Sequence, residues 1–306
     1  MQIGLMLEGQ DGLNWTRWQR ILQAAEDMGY QCVFRSDHFT NPEGDNKDSL
    51  ELWVALTYAA SHTKRIEFGS LVAPVTFRHP SMTARMGAQV DDLSGGRLIL
   101  GLGAGWQERE HRNFGIPFYD FPTRYDMLTD ALEITRLLLN NDGLVSYEGK
   151  HFSLDEAQLL PRPSRAGGPP ILIGGNGPKR TLPLAAEYAQ EWNAVYLTLD
   201  TWKERTALLN DLLTEKGRQP GDVKRSLMTQ VVYGKDDAAL QTRLDGRDAN
   251  DLKERGIIVG TGAAVVDQLS VWREAGLERV MLQWLNLDDM AGIEQMAQDV
   301  LPHFHG

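Results

Sequence analysis

The segment Ile171–Arg180 reads Ile-Leu-Ile-Gly-Gly-Asn-Gly-Pro-Lys-Arg and joins a short apolar run to a glycine turn and the start of a helix. A short apolar run bounded by turn residues is typical of a buried strand, and proline suits the first turn of a helix. The segment therefore predicts a strand-turn-helix unit, and similar units recur along the chain.

Short β-rich runs alternate with longer segments of helical period over the whole sequence. This alternation is typical of a parallel sheet whose strands are connected by crossover helices. An open sheet of eight strands would need a topological switch, so we favour an α/β fold with one closed (β/α)8 TIM-type barrel over residues 1–306. The eight predicted strands are Ile3–Leu7, Cys32–Ser36, Ile66–Val72, Leu98–Gly103, Ile171–Gly174, Trp192–Leu197, Leu227–Tyr233 and Arg279–Trp284.

Several helix boundaries are also predicted by local signals. Asn14 is a candidate N-cap and Gly29 a candidate stop for the helix after the first strand. Thr123 with Asp126 resembles a capping box at the start of a helix. Gly276 is expected to end the helix that precedes the last predicted strand.

Three connections are longer than the usual loop of a βα unit. We expect Trp106–Pro122 and Asn141–Pro170 to be insertions over the C-terminal face of the barrel. The third, Gly234–Gly256, is charged and has little apolar periodicity, so we expect it to be a mobile lid.

Composition narrows the classes of partner. The chain has 31 Lys and Arg against 42 Asp and Glu, a formal net charge of −11, which argues against nucleic acid and anionic membrane surfaces. Cys32 is the single cysteine, so no disulfide can form within one chain. No export signal or apolar run long enough to span a membrane is evident. We therefore expect a cytoplasmic protein that acts on a small molecule.

The glycine turn is a candidate phosphate cradle. Its glycines let backbone N–H groups face one concavity, and a helix start with adjacent cations favours an anion. The alternative is a turn that only reverses the chain. The residues concerned are Gly174, Gly175, Asn176, Gly177, Lys179 and Arg180.

A second candidate site follows the second strand, where Asp37 and His38 would point into the barrel mouth. The carboxylate could orient the imidazole or tune its pKa for proton transfer. The alternative is a polar turn in which Asp37 caps the next element.

The glycines that precede Trp106 do not complete a dinucleotide-binding pattern, although a flat ring could stack near Trp106. Glu108, Glu110 and His111 follow, and we interpret them as a solvated loop. No histidine pair has metal-binding helical spacing and no nucleophile elbow is present, so we predict neither a metal site nor a serine hydrolase.

Taken together, these residues resemble the luciferase-like monooxygenase superfamily, in particular its branch of oxidoreductases that use the deazaflavin coenzyme F420. The resemblance covers nearly the whole chain, and its motifs are specific in combination. They are Ser36-Asp37-His38-Phe39, Gly69-Ser70-Leu71-Val72-Ala73-Pro74-Val75-Thr76, Leu93-Ser94-Gly95-Gly96-Arg97, Gly101-Leu102-Gly103-Ala104-Gly105-Trp106, Gly174-Gly175-Asn176-Gly177 and Val280-Met281-Leu282-Gln283-Trp284.

The resemblance implies an isoalloxazine-like ring bound at the mouth, with Asp37 and His38 beside it and Thr76 in contact with it. It also implies a non-prolyl cis peptide or a bulge at Val72-Ala73 behind the ring, and phosphate bound by Gly174–Arg180. Sugar-phosphate dehydrogenases of the superfamily have a proton-transferring glutamate where this chain has Trp106. This difference argues against sugar-phosphate oxidation.

The resemblance therefore leaves His38 as the preferred acid or base, with Glu110 second. It implies hydride transfer between F420 and a small organic substrate. An FMN-dependent monooxygenase and a non-catalytic flavin-binding barrel are the alternatives, and a homodimer is expected.

Two further sets of residues are candidates for binding. Beyond its phosphate F420 carries lactate and glutamates, for which Lys179 and Arg180 are the first candidate partners. Glu8, Gln283 and Trp284, at the ends of the first and last strands, are candidates for the substrate pocket, or are capping and core residues. Possible helpers for the coenzyme tail are Arg109, Arg112, Arg162 and Arg165.

Overall fold

The computed structural model of the chain describes residues 1–304. Each predicted strand is present, with its ends within three residues of the predicted ones. The strands are β1 (Gln2–Leu7), β2 (Cys32–Arg35), β3 (Glu67–Ser70), β4 (Ala73–Pro74), β5 (Leu98–Gly103), β6 (Val145–Glu148), β7 (Ser153–Ala157), β8 (Ile171–Gly174), β9 (Glu191–Val195), β10 (Lys224–Tyr233), β11 (Ile258–Gly260) and β12 (Arg279–Gln283). The helices are α1 (Trp15–Met28), α2 (Leu52–His62), α3 (Pro80–Ser94), α4 (Glu108–Asn113), α5 (Phe121–Asn140), α6 (Thr181–Tyr188), α7 (Leu199–Glu215), α8 (Asp237–Leu244), α9 (Ala249–Glu254), α10 (Gly262–Glu274) and α11 (Met290–Val300).

Eight of these strands close into a parallel barrel, as predicted. Their order around the ring is β1, β2, β3, β5, β8, β9, β10 and β12, and β12 pairs back with β1. The short strands β4 and β11 pair in parallel with β5 and β10, respectively. Because the strands are parallel, all eight carboxyl ends surround one mouth.

The barrel has a packed interior and a polar base. Arg279 at the start of β12 is fully buried, and it pairs with Glu191 at 2.7 Å and with Glu67. Both carboxylates belong to the amino ends of their strands, so these charges satisfy one another opposite the mouth. Above them an apolar cluster fills the interior, formed by Met6, Cys32, Phe34, Leu71, Ile99, Leu172, Met228 and Met281.

Some helix boundaries follow the local signals and others do not. The Asn14 side chain accepts a hydrogen bond from Arg17 N at 3.1 Å, and Gly29 ends α1 with a left-handed φ of 93°. The predicted capping box at Thr123 is wrong, because Asp120 is the N-cap of α5 and accepts from the Thr123 backbone N–H at 2.9 Å. Gly276 follows the end of α10 with φ 85°.

The three long connections differ in where they lie. Residues 106–122 contain α4 and lie at the mouth, as expected. Residues 141–170 instead form the hairpin β6–β7, which packs on the outer faces of α3 and α5. Residues 234–256 are largely helical, because Leu244 of α8 and Leu252 of α9 are buried against Val232 and Val259.

Candidate functional site

The predicted site residues collect around the barrel mouth because they lie on, or directly after, the carboxyl ends of its strands. Glu8 follows β1, His38 follows β2, and Val72 follows β3. Trp106 and Gly175 follow β5 and β8. The fold therefore brings together residues that are far apart in the sequence.

His38 and Glu110 form a pair on one side of this mouth. The His38 Nδ1 atom lies 2.8 Å from Glu110 Oε1, and the other carboxylate oxygen accepts from the Phe39 backbone N–H at 2.8 Å. Since a carboxylate can only accept hydrogen bonds, the His38 Nδ1 atom carries the proton. Nε2 is then the basic nitrogen of the neutral ring.

Glu108, Glu110 and His111 do not form a loop, because they belong to α4. Glu108 is exposed, as expected, but the interpretation as solvated residues is wrong for Glu110, which is 1% exposed, and for His111, which is fully buried. Burial costs little here because Glu110 has two hydrogen-bond donors, from His38 and Phe39.

The environment of His38 sets the direction of its pKa shift. Burial alone would lower the pKa of this imidazole, but the hydrogen bond and charge of Glu110, with smaller contributions from Glu8 and Asp37, raise it above its ordinary value. The His38 side chain is 18% exposed. Trp106, which is 61% exposed, contacts the ring edge-on at a centroid distance of 5.3 Å.

Asp37 lies beside this pair but is engaged elsewhere. Its side chain is 1% exposed, and both of its oxygens accept from the Arg78 guanidinium, one of them at 3.2 Å. Arg78 also pairs with Glu51 at 2.6 Å, and Glu51 caps α2 through the Val54 N–H. Asp37 therefore anchors the loop that carries His38.

The segment after β3 crosses the top of the barrel interior. The peptide bond between Leu71 and Val72 is cis, one bond before the predicted position at Val72-Ala73. The Val72 side chain lies against Gly103 and Gly174, where an added Cβ would come within 2.4 Å and 3.0 Å of its methyl carbons. Ala73 is buried in β4. Small residues at two strand ends thus leave room for Val72 to form the floor of the mouth.

Thr76 contacts His111 at the edge of this floor. The His111 Nδ1–H donates to Gln107 O at 2.7 Å, so Nε2 accepts from the Thr76 hydroxyl at 2.7 Å. Burial lowers the pKa of His111, which is consistent with a neutral ring. The lone pairs of the Thr76 oxygen remain available to a ligand.

The predicted cradle is a tight loop anchored to the next strand. The Asn176 side chain donates to Val195 O at 2.7 Å and accepts from Val195 N at 2.9 Å, and Gly175 N donates to Asn193 O. Gly175 has φ 123°, a conformation that favours glycine. An added Cβ at Gly177 would lie 3.0 Å from the Thr181 hydroxyl. The helix begins at Thr181, later than Pro178 suggested.

Cations flank the cradle. Lys179 and Arg180 are exposed, and neither forms an ion pair within residues 1–304. Arg180 lies over the ring of Tyr125, whose hydroxyl is 3.0 Å from that of Thr181. This concave, glycine-lined loop with free cations fits a phosphate.

The proposed helper arginines divide into two groups. Arg109 is at the mouth, where it donates to Asn41 O at 3.1 Å, and Arg112 is exposed on α4. Arg162 binds carbonyls at the C-terminal end of α5 and Arg165 pairs with Asp91 near the end of α3. Helix ends of this kind lie opposite the mouth, so Arg162 and Arg165 cannot contact a coenzyme bound there.

Of the three candidates for the substrate pocket, two lie inside the mouth and one lies outside it. Gln283 donates to Glu8 at 2.6 Å inside the mouth. Trp284 points to the opposite side of its strand and is 5% exposed within the core between sheet and helices. The structure thus brings Glu8 and Gln283 together and leaves Trp284 outside the mouth.

Sequence reasoning missed two polar residues of the site. Arg78 holds Asp37, and Tyr196 donates to Gln283. Neither residue lies in a recognisable motif. The position of Tyr196 directly after β9 was the one available signal.

Two kinds of feature are absent from residues 1–304. None of the helices in that range has the length and apolar character needed to cross a membrane. In the same range, no group of three or more His, Cys, Asp and Glu side chains could hold a metal ion.

Known proteins resemble this chain in sequence. Residues 1–251 match the family model for luciferase-like monooxygenases. The chain is 29% identical over 218 residues to the F420-dependent hydroxymycolic acid dehydrogenase of Mycobacterium tuberculosis (strain ATCC 25618 / H37Rv), covering 71% of this chain and 59% of that protein. It is 31% identical over 225 residues to the F420-dependent glucose-6-phosphate dehydrogenase of Microbacterium testaceum (strain StLB037), covering 71% and 64%. The chain thus spans less than two thirds of the length of either relative.

A solved structure has the same fold. An F420-dependent secondary alcohol dehydrogenase in complex with an F420-acetone adduct aligns with a TM-score of 0.87 at 22% identity, covering 100% of this chain and 99% of that one. The family model spans most of the sequence, and the barrel is the fold that the family resemblance implied. This chain belongs to the luciferase-like monooxygenase family.

Proposed function

We propose that this protein is an F420-dependent oxidoreductase that moves a hydride between the coenzyme and a small organic alcohol or carbonyl compound. The observation that carries the proposal is the pair of half-buried His38 and buried Glu110, which faces the same mouth as a glycine-lined anion cradle. The F420-dependent relatives support the choice of coenzyme.

The residues at the mouth fit the parts of F420. Val72 would lie under the ring, with Thr76 and Trp106 at its edges. Asn176 and Gly177 would hold the phosphate through their backbone N–H groups, since the Gly175 N–H already donates to Asn193 O. When bound, F420 supplies a deazaflavin ring that accepts or donates a hydride and reacts poorly with oxygen. Lys179 and Arg180 would bind the acidic tail, and they must act locally because the chain as a whole carries −11.

His38 handles the proton in this proposal. In the direction of alcohol oxidation, His38 Nε2 accepts the hydroxyl proton while a hydride leaves the carbinol carbon, and a carbonyl compound remains. Glu110 holds the Nδ1 proton and stabilises the imidazolium that forms. Asp37 fixes the loop through Arg78, so we assign it a positioning role.

We also propose a cytoplasmic homodimer with one barrel domain over residues 1–306. The buried thiol of Cys32 suits a reducing compartment. Exposed apolar side chains on adjacent helices support a second copy as partner, with Val54 of α2 56% exposed and Met82 of α3 50% exposed.

The cradle is tested by reversing a charge. Lys179→Glu should raise the Kd for F420 about tenfold, because it places a negative charge beside the phosphate. Lys64→Glu makes the same charge change on the opposite face of the barrel, between α2 and β3, and should leave the Kd unchanged. Fluorescence titration of F420 measures both. Equal effects of the two variants would show that only net charge matters and would reject this cradle.

The role of His38 is tested by separating binding from turnover. His38→Ala should keep the F420 affinity and lower kcat by about 100-fold or more, the usual scale for loss of a positioned acid or base. His62→Ala removes an exposed histidine of α2 and should keep the parental kcat. A His38→Ala enzyme with parental rates across the pH range would assign the proton to another group.

The raised pKa of His38 predicts a pH dependence. Oxidation needs the neutral imidazole, so the rate should rise with pH. The midpoint of this rising limb of the pH–rate profile should lie above the ordinary histidine pKa of about 6.5. Glu110→Gln keeps one acceptor oxygen for the His38 Nδ1–H but removes the charge and the acceptor for the Phe39 N–H, so the limb should move to lower pH. Glu108→Gln changes an exposed carboxylate on the same helix and should leave the limb in place. An unmoved limb in Glu110→Gln contradicts the pairing.

A further inference from the structure

A chain of hydrogen bonds runs along the mouth from the residue after β9, next to the cradle, to the residue after β2. The Tyr196 hydroxyl donates to Gln283 Oε1, and Gln283 Nε2 donates to Glu8 Oε1 at 2.6 Å. Gln10 Nε2 donates to Glu8 Oε2 at 2.9 Å and its oxygen accepts from Ser36 at 2.8 Å. We call these five residues the polar wall.

The direction of each hydrogen bond in the polar wall is fixed. The Glu8 carboxylate can only accept hydrogen bonds, so the side-chain amides of Gln283 and Gln10 must both donate to it. The carbonyl oxygen of Gln283 therefore takes the Tyr196 proton, and the Tyr196 oxygen keeps its lone pairs. Burial, with a smaller contribution from Glu8, raises the pKa of Tyr196 to about 12, so the phenol stays protonated at neutral pH.

Tyr196, at one end of the polar wall, lies across the mouth from His38, whereas Ser36, at the other end, lies two residues before His38. Four steps around the ring of eight strands separate β2, which precedes His38, from β9, which precedes Tyr196. The cradle and Val72 occupy the intervening β3, β5 and β8. The half from β9 to β1 is therefore the space left for a substrate whose reacting carbon lies near His38.

The polar wall itself is acidic. Glu8 is the one carboxylate in the hydrogen-bonded chain, which contains no lysine or arginine. Arg243 lies in a separate cavity of about 160 Å³ with Trp284, and it pairs with Asp289 at 2.5 Å. Arg255 acts on Tyr196 only through its charge.

We propose that the polar wall is the substrate subsite, and that it selects an uncharged substrate with a second hydroxyl next to the carbinol that reacts. The second hydroxyl donates to the Tyr196 oxygen, while Glu8 repels a carboxylate or phosphate at the same position. This inference rests on the proposed function, since it assigns the reacting carbon to the side of His38.

Three compounds with the same secondary carbinol test the subsite. Propan-2-ol has no second group, propane-1,2-diol adds a hydroxyl, and lactate adds a carboxylate. With the F420-loaded protein, kcat/KM should be about tenfold higher for the diol than for propan-2-ol, the scale of one hydrogen bond, and lowest for lactate. Saturation-transfer NMR on the cofactor-free protein should give the same order of binding without turnover.

Substitutions test which residues of the polar wall set the order of the three compounds. Tyr196→Phe should lower the ratio of kcat/KM for the diol to that for propan-2-ol from about tenfold towards one, mainly through the KM of the diol. Glu8→Gln should improve lactate. Tyr58→Phe, a tyrosine stacked on His62 of α2, and Arg255→Gln serve as controls that should change neither order.

Other outcomes overturn the subsite. These are a preference for lactate, equal or undetectable binding of all three compounds, or a diol preference that survives in Tyr196→Phe with an unchanged melting temperature. A failure of F420 to bind would count against the proposed function instead, and the NMR order on the cofactor-free protein would still decide the subsite.

Discussion

Closure of the eight parallel strands into a ring is the constraint on which every contact at the mouth depends. Gln283 and Glu8 are 275 positions apart in the chain, yet they share a hydrogen bond because β12 pairs with β1. His38 and Glu110 are 72 positions apart and meet because their strands end at the same face. The buried Arg279 pairs satisfy the charges at the base, so the carboxyl ends are free to carry function.

The mouth combines two electrostatic environments within an acidic chain. Lys179 and Arg180 leave unpaired positive charge beside a backbone cradle, which suits an anionic coenzyme. Across the mouth, buried Glu110 stabilises the protonated form of His38, and Glu8 orients the polar wall. Placing opposite charges on opposite sides would keep the phosphate and acidic tail of such a coenzyme away from His38.

The sequence predicted the barrel because each strand is a short apolar run bounded by turn residues, as in Ile171–Gly174. It placed the Gly174–Arg180 turn and His38 at the mouth because both follow strands. It failed where tertiary contacts override local character: Glu110 lies in a charged segment that looks solvated, and only the donors from His38 and Phe39 explain its burial. Arg78 and Tyr196 were missed for the same reason, since their partners are distant in the chain.

The central claim is that this mouth binds F420 for hydride transfer, whereas an FMN-dependent monooxygenase could use the same barrel and a similar cradle. Parallel titrations of the purified protein with both cofactors, followed by reduction and exposure to air, test this claim most directly. We expect F420 to bind at least about tenfold tighter than FMN, and its reduced form to persist in air without consumption of oxygen. Tighter binding of FMN, with oxygen consumed on reduction, would contradict the account.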